Sequence, residues 1–387
     1  MNKKELELYI HIPFCVRKCS YCDFLSAPAT EQTREAYMAA LFAEIGGRAK
    51  DYSDRTVTSI FIGGGTPSLL SGEQIGQLMD RIREQFAMAQ DAEITMEVNP
   101  GTASAEKLRN FYTAGINRLS IGMQSAQAEE LKNLGRIHDF EGFCQVYREA
   151  VEAGFTNINV DIMSGLPGQT LASYRDTLEK VLHLEPMPQH ISAYSLIVEE
   201  GTPFAAMAER GELPLPEEET ERAMYEETIE VLAKYGFHRY EISNYARDGY
   251  ECRHNVGYWI RRDYLGFGIG AASLIDNVRF QNEKSLGAYL AHPLESREEE
   301  QTLTVQDRME ETMFLGLRLT RGVSCVDFAE QYGRTVEEVY GEVIARNVAD
   351  GLLTVTERKE NQKKDRFLAL TKRGLDLSNY VMAQLLF

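Results

Sequence analysis

The chain has 387 residues, of which 43% are hydrophobic, enough for one large domain with a sizeable core and a smaller second one. Its formal net charge of −18 repels phosphate backbones and argues against nucleic-acid partners. No apolar run approaches the ~20 residues of a membrane helix and no apolar stretch follows the first lysines, so a cytoplasmic chain without a signal peptide is expected, with peripheral membrane contact and a homodimer left open.

The first predicted strand, Leu6–Ile12, runs straight into a loop carrying Cys15, Cys19 and Cys22. The other cysteines, Cys144, Cys252 and Cys325, are scattered, which suits a reducing compartment rather than a disulfide framework. The C-x3-C-x2-C spacing supplies one ligand fewer than the four thiolates that usually hold a 4Fe–4S cluster. Three thiolates would leave one iron open to a ligand that is not protein. A closed zinc site is the alternative; it takes four ligands, usually in two separated pairs, and His11 is the nearest fourth donor, held back on the strand.

Short β-branched runs follow at Val57–Ile62, Ile94–Val98, Arg118–Ile121, Asn157–Ile162 and His190–Ile197. Helical patterns lie between them at 31–49, 72–86, 104–114, 140–153 and 170–183, and another follows at 217–235. Such alternation predicts parallel βαβ units, six in all, and a partial (β/α)6 TIM-like barrel. Chemistry in parallel barrels gathers at the C-terminal ends of the strands. Those ends carry Gly63-Gly64-Gly65-Thr66, Glu97-Val98-Asn99, Gly122-Met123-Gln124, and Asp161, with Arg136 a little further on. Singly, each polar residue reads as a cap or turn; their shared position makes them a candidate shell.

Beyond the barrel, 295–300 reads as a charged linker. The tail has helical patterns at 305–318, 324–331 and 335–349, then a hairpin around a polar loop at 357–365 and a last helix. This order predicts a mostly helical, winged-helix-like domain. Its near-balanced charge favours packing or partner docking over DNA reading. The expected units are a barrel at 1–235, a connecting segment at 236–300 and a C-terminal domain at 301–387.

The opening run Tyr9-x-His11-x-Pro13-Phe14-Cys15-x3-Cys19-x2-Cys22 resembles that of the radical S-adenosylmethionine (SAM) proteins, on the coproporphyrinogen-dehydrogenase branch. In that family the open iron binds SAM, and an electron from the cluster breaks a carbon–sulfur bond. The resemblance implies that Cys15, Cys19 and Cys22 ligate a 4Fe–4S cluster. It implies that Tyr9 and Tyr21 sit beside SAM, that Gly64, Gly65 and Thr66 present backbone to it, and that Glu97, Gln124, Arg136 and Asp161 form its polar shell. Whether one or two SAM molecules bind stays open.

Two departures separate the chain from the dehydrogenase. The dehydrogenase continues C-x-C after its third cysteine, whereas Asp23 and Phe24 follow Cys22, and only eight residues precede Tyr9. Both features are similar to the HemW family of heme chaperones. So is Cys252-Arg-His254-Asn255-Val-Gly-Tyr258-Trp259, which contains H-N-x-x-Y-W. By that resemblance His254 is an axial heme ligand, with Cys252 its rival. Read without the family, His254-Asn255 caps a short helix while Tyr258 and Trp259 fill a core. The implied function is heme binding and delivery to an apo-hemoprotein acceptor, plausibly respiratory. The alternatives are oxygen-independent oxidative decarboxylation of coproporphyrinogen III and, more distantly, a structural zinc protein.

Overall fold

The computed structural model describes residues 3–295, 297–360 and 363–386. Six parallel strands stand in chain order: β1 (Lys4–Ile12), β2 (Arg55–Gly64), β3 (Ala87–Val98), β4 (Arg118–Gln124), β5 (Ile158–Ser164) and β6 (His190–Ser195). They pair in sequence, with His11 opposite Gly63 and Ile12 opposite Gly64. Their middles are buried on both faces, as parallel sheets require. β3 starts seven residues before the predicted run, because Ala87 and Met88 pair with Thr56 and Val57 ahead of a register shift. The polar residues that follow hide this start from hydrophobic patterning.

The helices between these strands are α1 (Glu31–Arg48), α2 (Gly72–Gln85), α3 (Ala105–Thr113), α4 (Ala128–Leu134), α5 (Phe140–Ala153) and α6 (Leu171–Leu182). Their starts follow from local chemistry: Thr30, Ser71, Ser104, Asp139 and Thr170 each accept from a backbone N–H of the first turn. Short α7 (Pro203–Glu209) and longer α8 (Glu218–Lys234) follow β6. α4 and α7, at seven residues each, are shorter than the window on which helical periodicity can be read.

Residues 236–300, expected as a connection, instead extend the sheet at both edges. β7 (His238–Arg239) and β8 (Asn244–Ala246) add antiparallel beside β6. Helix α9 (Arg253–Trp259) then crosses back, and β9 (Tyr264–Phe267) joins parallel to β1. β10 (Ala272–Ile275), β11 (Val278–Asn282) and, after α10 (Leu286–Ala291), β12 (Arg297–Thr302) complete that edge. The predicted charged linker is therefore mostly the edge strand β12. Its side chains are all exposed, so charge costs little there and blocks edge-to-edge pairing.

The remainder is α11 (Val305–Gly316), β13 (Val323–Ser324), α12 (Cys325–Tyr332), α13 (Val336–Ala349), the hairpin β14 (Leu353–Glu360) and β15 (Lys363–Leu370), then α14 (Lys372–Asp376) and α15 (Ser378–Ala383). β13 pairs with β15, giving the helix–strand–helix–helix–hairpin order of a winged helix around its own core. The hairpin strands run well into the predicted polar loop; residues 361 and 362 of that loop lie outside the described residues. Ion pairs from Arg261 and Arg279 to the buried Glu311 of α11 fasten this unit to the extended sheet. Among the described residues, no helix is long and apolar enough to cross a membrane.

Candidate cluster and cofactor site

The cysteine loop is held at both ends. Ala27 N–H donates to Pro13 and Cys15 N–H to Ala27, which closes the loop into a ring. Tyr37 Oη donates to the His11 carbonyl at 2.7 Å, from inside the core. The far side is stapled to other elements: Ser20 N–H donates to Leu134, Phe204 N–H to Ser20, and Arg17 to the Gly135 carbonyl. Loop position is thus fixed by the barrel and by the short helices α4 and α7.

His11 is fully engaged, with Nδ1 2.9 Å from Tyr9 Oη and Nε2 2.9 Å from the Leu25 carbonyl. It pins the returning end of the loop and has no nitrogen left for zinc. Among the described residues, no three His, Cys, Asp or Glu side chains converge on one metal ion. Three thiols facing one cavity from a short loop fit a multi-iron cubane, in which each thiolate takes a different iron, better than a single ion. Burial raises the Cys15 and Cys22 thiols above their ordinary pKa. Arg136 Nη1 lies 3.9 Å from Cys19 Sγ and supplies a positive charge beside it.

The cysteines share a cavity of about 150 Å³ with Tyr21, Gly64, Gly65, Thr66, Glu97, Gln124, Arg136 and Asp161. Tyr9 does not line it. Its hydroxyl is turned to His11, so Tyr9 supports the loop from beneath instead of facing the void. The glycines are dictated by contact. Gly64 has φ +110°, and a Cβ there would lie 2.4 Å from the His11 ring; one at Gly65 would lie 2.6 Å from the Phe14 carbonyl oxygen. The glycine turn and the cysteine loop pack backbone to backbone.

Glu97 Oε2 accepts from Gly64 N–H at 3.0 Å. Burial, with the nearby Asp161 carboxylate, pushes its pKa up to about 7. Asp161 accepts from Asn159 Nδ2 at 2.7 Å and from Ser120 Oγ at 3.3 Å. Burial still raises it above the ordinary carboxylate range. Two buried carboxyl groups side by side suit a cation. Gln124 sits at φ 69°, beside a register shift in the β4–β5 pairing, and Arg136 Nη2 donates to Gly122 O at 2.6 Å. The Arg136 Nε has no partner, so the guanidinium has a donor in reserve.

A second void of about 280 Å³ adjoins the first, sharing Tyr21, Phe24, Glu97, Gln124 and Asp161, and continues into the barrel. Arg118, Ser120, Asn159, Ser192 and Tyr194 line it and were not singled out from sequence. A signal was present: Arg118, Ser120 and Gln124 fall on one alternation of β4, as do Asn159 and Asp161 on β5. Polar residues at period two in strands otherwise buried on both faces point into a lumen.

His254 lies elsewhere. It is 1% exposed on α9, with Nδ1 2.9 Å from Ser59 Oγ and Nε2 3.0 Å from Tyr258 Oη. Its ring stacks on Phe61 at 5.3 Å. Burial holds its pKa down at about 3, so it is neutral. Both ring nitrogens are engaged within the protein in this conformation. Cys252 is also fully buried, with Sγ 3.5 Å from Glu93 Oε1. The motif's other side chains diverge. Asn255 faces the barrel void, and Val256 and Trp259 pack with Tyr240 and Leu319 on the opposite side.

Comparison with known proteins gives a consistent family. Residues 9–181 match the Radical SAM superfamily and residues 303–377 the HemN C-terminal domain. The heme chaperone HemW of Bacillus subtilis is 38% identical over 385 residues, covering 98% of both chains. HemW of Escherichia coli is 37% identical over 358 residues, covering 90% of this chain and 92% of its own. Among solved structures, coproporphyrinogen III oxidase (HemN) of Escherichia coli, described as a radical SAM enzyme, superposes with a TM-score of 0.84 at 28% identity. That superposition covers 99% of this chain and 90% of the other.

Proposed function

Because the chain belongs to the HemW family of heme chaperones, on the radical SAM scaffold, we propose that it binds heme and passes it to an apo-hemoprotein acceptor of the respiratory chain, in the cytoplasm. On this reading Cys15, Cys19 and Cys22 hold a 4Fe–4S cluster. SAM lies against Gly64, Gly65 and Thr66, with Tyr21 beside it. When bound, the cluster supplies an electron and an iron open to SAM. The protein's own part is positioning: Glu97 and Asp161 receive positive charge, Gln124 and Arg136 orient the polar end, and the Gly64–Thr66 turn admits close approach. The boundaries 1–235, 236–300 and 301–387 are kept as the proposed division, with the middle segment extending the barrel's sheet at both edges.

The near full-length match to heme chaperones carries this reading. Coproporphyrinogen III decarboxylation is the second reading, favoured by the HemN superposition and by the void beside the cysteines. Against it, Phe24 is 62% exposed at the lip where the dehydrogenase has a cysteine.

SAM binding tests the scaffold half. Reconstituted protein should bind SAM and cluster-free protein should not. Asp161→Asn and Glu97→Gln should each weaken binding by roughly 1.5–3 kcal/mol, the worth of a charge-assisted hydrogen bond. Wild-type affinity should rise as pH increases through about 7, since the cationic ligand selects ionised Glu97. Equal SAM affinity with and without the cluster would refute the open-iron assignment.

A further inference from the structure

The void inside the barrel holds a cation with no ion-pair partner among the described residues. Arg118 lines it from β4 and is 2% exposed. Its Nη1 makes one long contact, 3.5 Å to Thr95 Oγ1, and its Nε has no partner. Glu93 on β3 is near enough to interact electrostatically with Arg118, but its oxygens are spent on the start of α9. Oε1 accepts from His254 N–H at 3.2 Å and Oε2 from Arg253 N–H at 3.1 Å. Asp161 is likewise occupied by Asn159 and Ser120. A guanidinium stays charged at any physiological pH. Buried without a partner it is costly, so its retention calls for an explanation.

A second donor faces the same void from a different element. Asn255, on α9 and part of the H-N-x-x-Y-W motif, lines it, and its carboxamide hydrogen-bonds to no described residue. Phe61 and Met163 give the void apolar walls. Glu97 and Asp161 mark the end it shares with the cysteine cavity, and the exposed side chains of Phe24 and Tyr194 flank its opening to solvent. The Gly64–Thr66 turn, against which SAM is placed, lines only the cysteine cavity. At about 280 Å³ the void stands at the small end of the ~300–1,000 Å³ of ligand sites, which suits a molecule far smaller than a tetrapyrrole.

We propose that this void is a separate ligand site for a small monocarboxylate with an apolar body. Arg118 and Asn255 hold its carboxylate, through charge-assisted and amide hydrogen bonds. Phe61 and Met163 meet its body. The end toward Glu97 and Asp161 carries no negative charge, because two carboxyl groups stand there already. The site stands apart from cluster, SAM and heme, and it gives Asn255 a role that His254, turned into the core beside it, does not share.

Butyrate, butyramide and succinate, three probes of similar length, test the site. Each is titrated into the anaerobically reconstituted full chain without added SAM, by calorimetry and by thermal unfolding, for wild type, Arg118→Met, Asn255→Leu and Arg136→Gln. Wild type should bind butyrate. Butyramide, which lacks the charge, and succinate, which brings a second anion toward Glu97 and Asp161, should each bind about tenfold more weakly or worse. Arg118→Met should lose about tenfold or more in butyrate affinity. Without ligand it should unfold at or above the wild-type temperature, because an unpaired buried charge is removed; an arginine kept for structure alone would lower that temperature. Asn255→Leu should fold and bind butyrate about threefold more weakly or worse, and it carries the test if Arg118→Met does not fold. Arg136→Gln should bind butyrate as wild type does, since Arg136 lines the cysteine cavity and not this void. A wild type that binds no butyrate, or binds butyramide equally well, overturns the site. So does butyrate binding that is lost in Arg136→Gln and kept in Asn255→Leu, which would place the carboxylate in the cysteine cavity.

Discussion

Cys15→Ala, Cys19→Ala and Cys22→Ala should each abolish the iron–sulfur cluster, taking anaerobically reconstituted protein from about four irons per chain to near none. Three ligands leave no redundancy, and each thiol addresses the same small cavity. SAM binding should vanish with the cluster. Cys144→Ala, on α5, and Cys325→Ala, at the start of α12, should keep the full iron content, because neither faces that cavity. Iron and sulfide analysis with the visible charge-transfer absorption reads the outcome. A cluster that survives Cys19→Ala but fails in Cys144→Ala would show that the ligand set is wrong.

His254→Ala should have the largest effect on stability. It removes two buried hydrogen bonds, strands the Ser59 and Tyr258 hydroxyls and opens a void beside Phe61. Together these are worth about 3–5 kcal/mol. The loss should depend on pH in a definite direction. Burial depresses the imidazole from 6.5 to about 3. Below 6.5 the unfolded chain takes up a proton that the folded chain refuses, so the stabilisation is complete above 6.5 and declines as pH falls toward 3. Thermal unfolding from pH 7.5 to 4.5 should show wild type losing part of its advantage over the variant in acid. A variant as stable as wild type at pH 7, but without heme absorption, would restore the ligand role that the motif suggests.

Much of this molecule is legible from sequence because its signals are local. Apolar runs such as Leu6–Ile12 and caps such as Ser71 and Thr170 fix strands and helices without reference to anything distant. The cysteine spacing and the strand-end rule together name the residues that converge on one cavity. The direction in which a side chain points is less legible. Tyr9 and His254 each have a partner a few residues along the chain or across a strand, and nothing in spacing distinguishes a side chain hydrogen-bonded inward from one facing a ligand. Residues 236–300 read as a connection because β7, β8 and β9 are two to four residues long and their pairing partners are distant in sequence.

The most direct test of the heme-chaperone reading is transfer. Protein loaded with one equivalent of heme, with its cluster intact, is mixed anaerobically with an apo-hemoprotein, while parallel samples receive coproporphyrinogen III, SAM and a reductant. The account predicts that heme moves to the acceptor, with spectral loss from the donor matching gain in the acceptor, and that coproporphyrinogen III is not consumed. Protoporphyrinogen formation by a protein that holds no stoichiometric heme would contradict it and establish the decarboxylase reading.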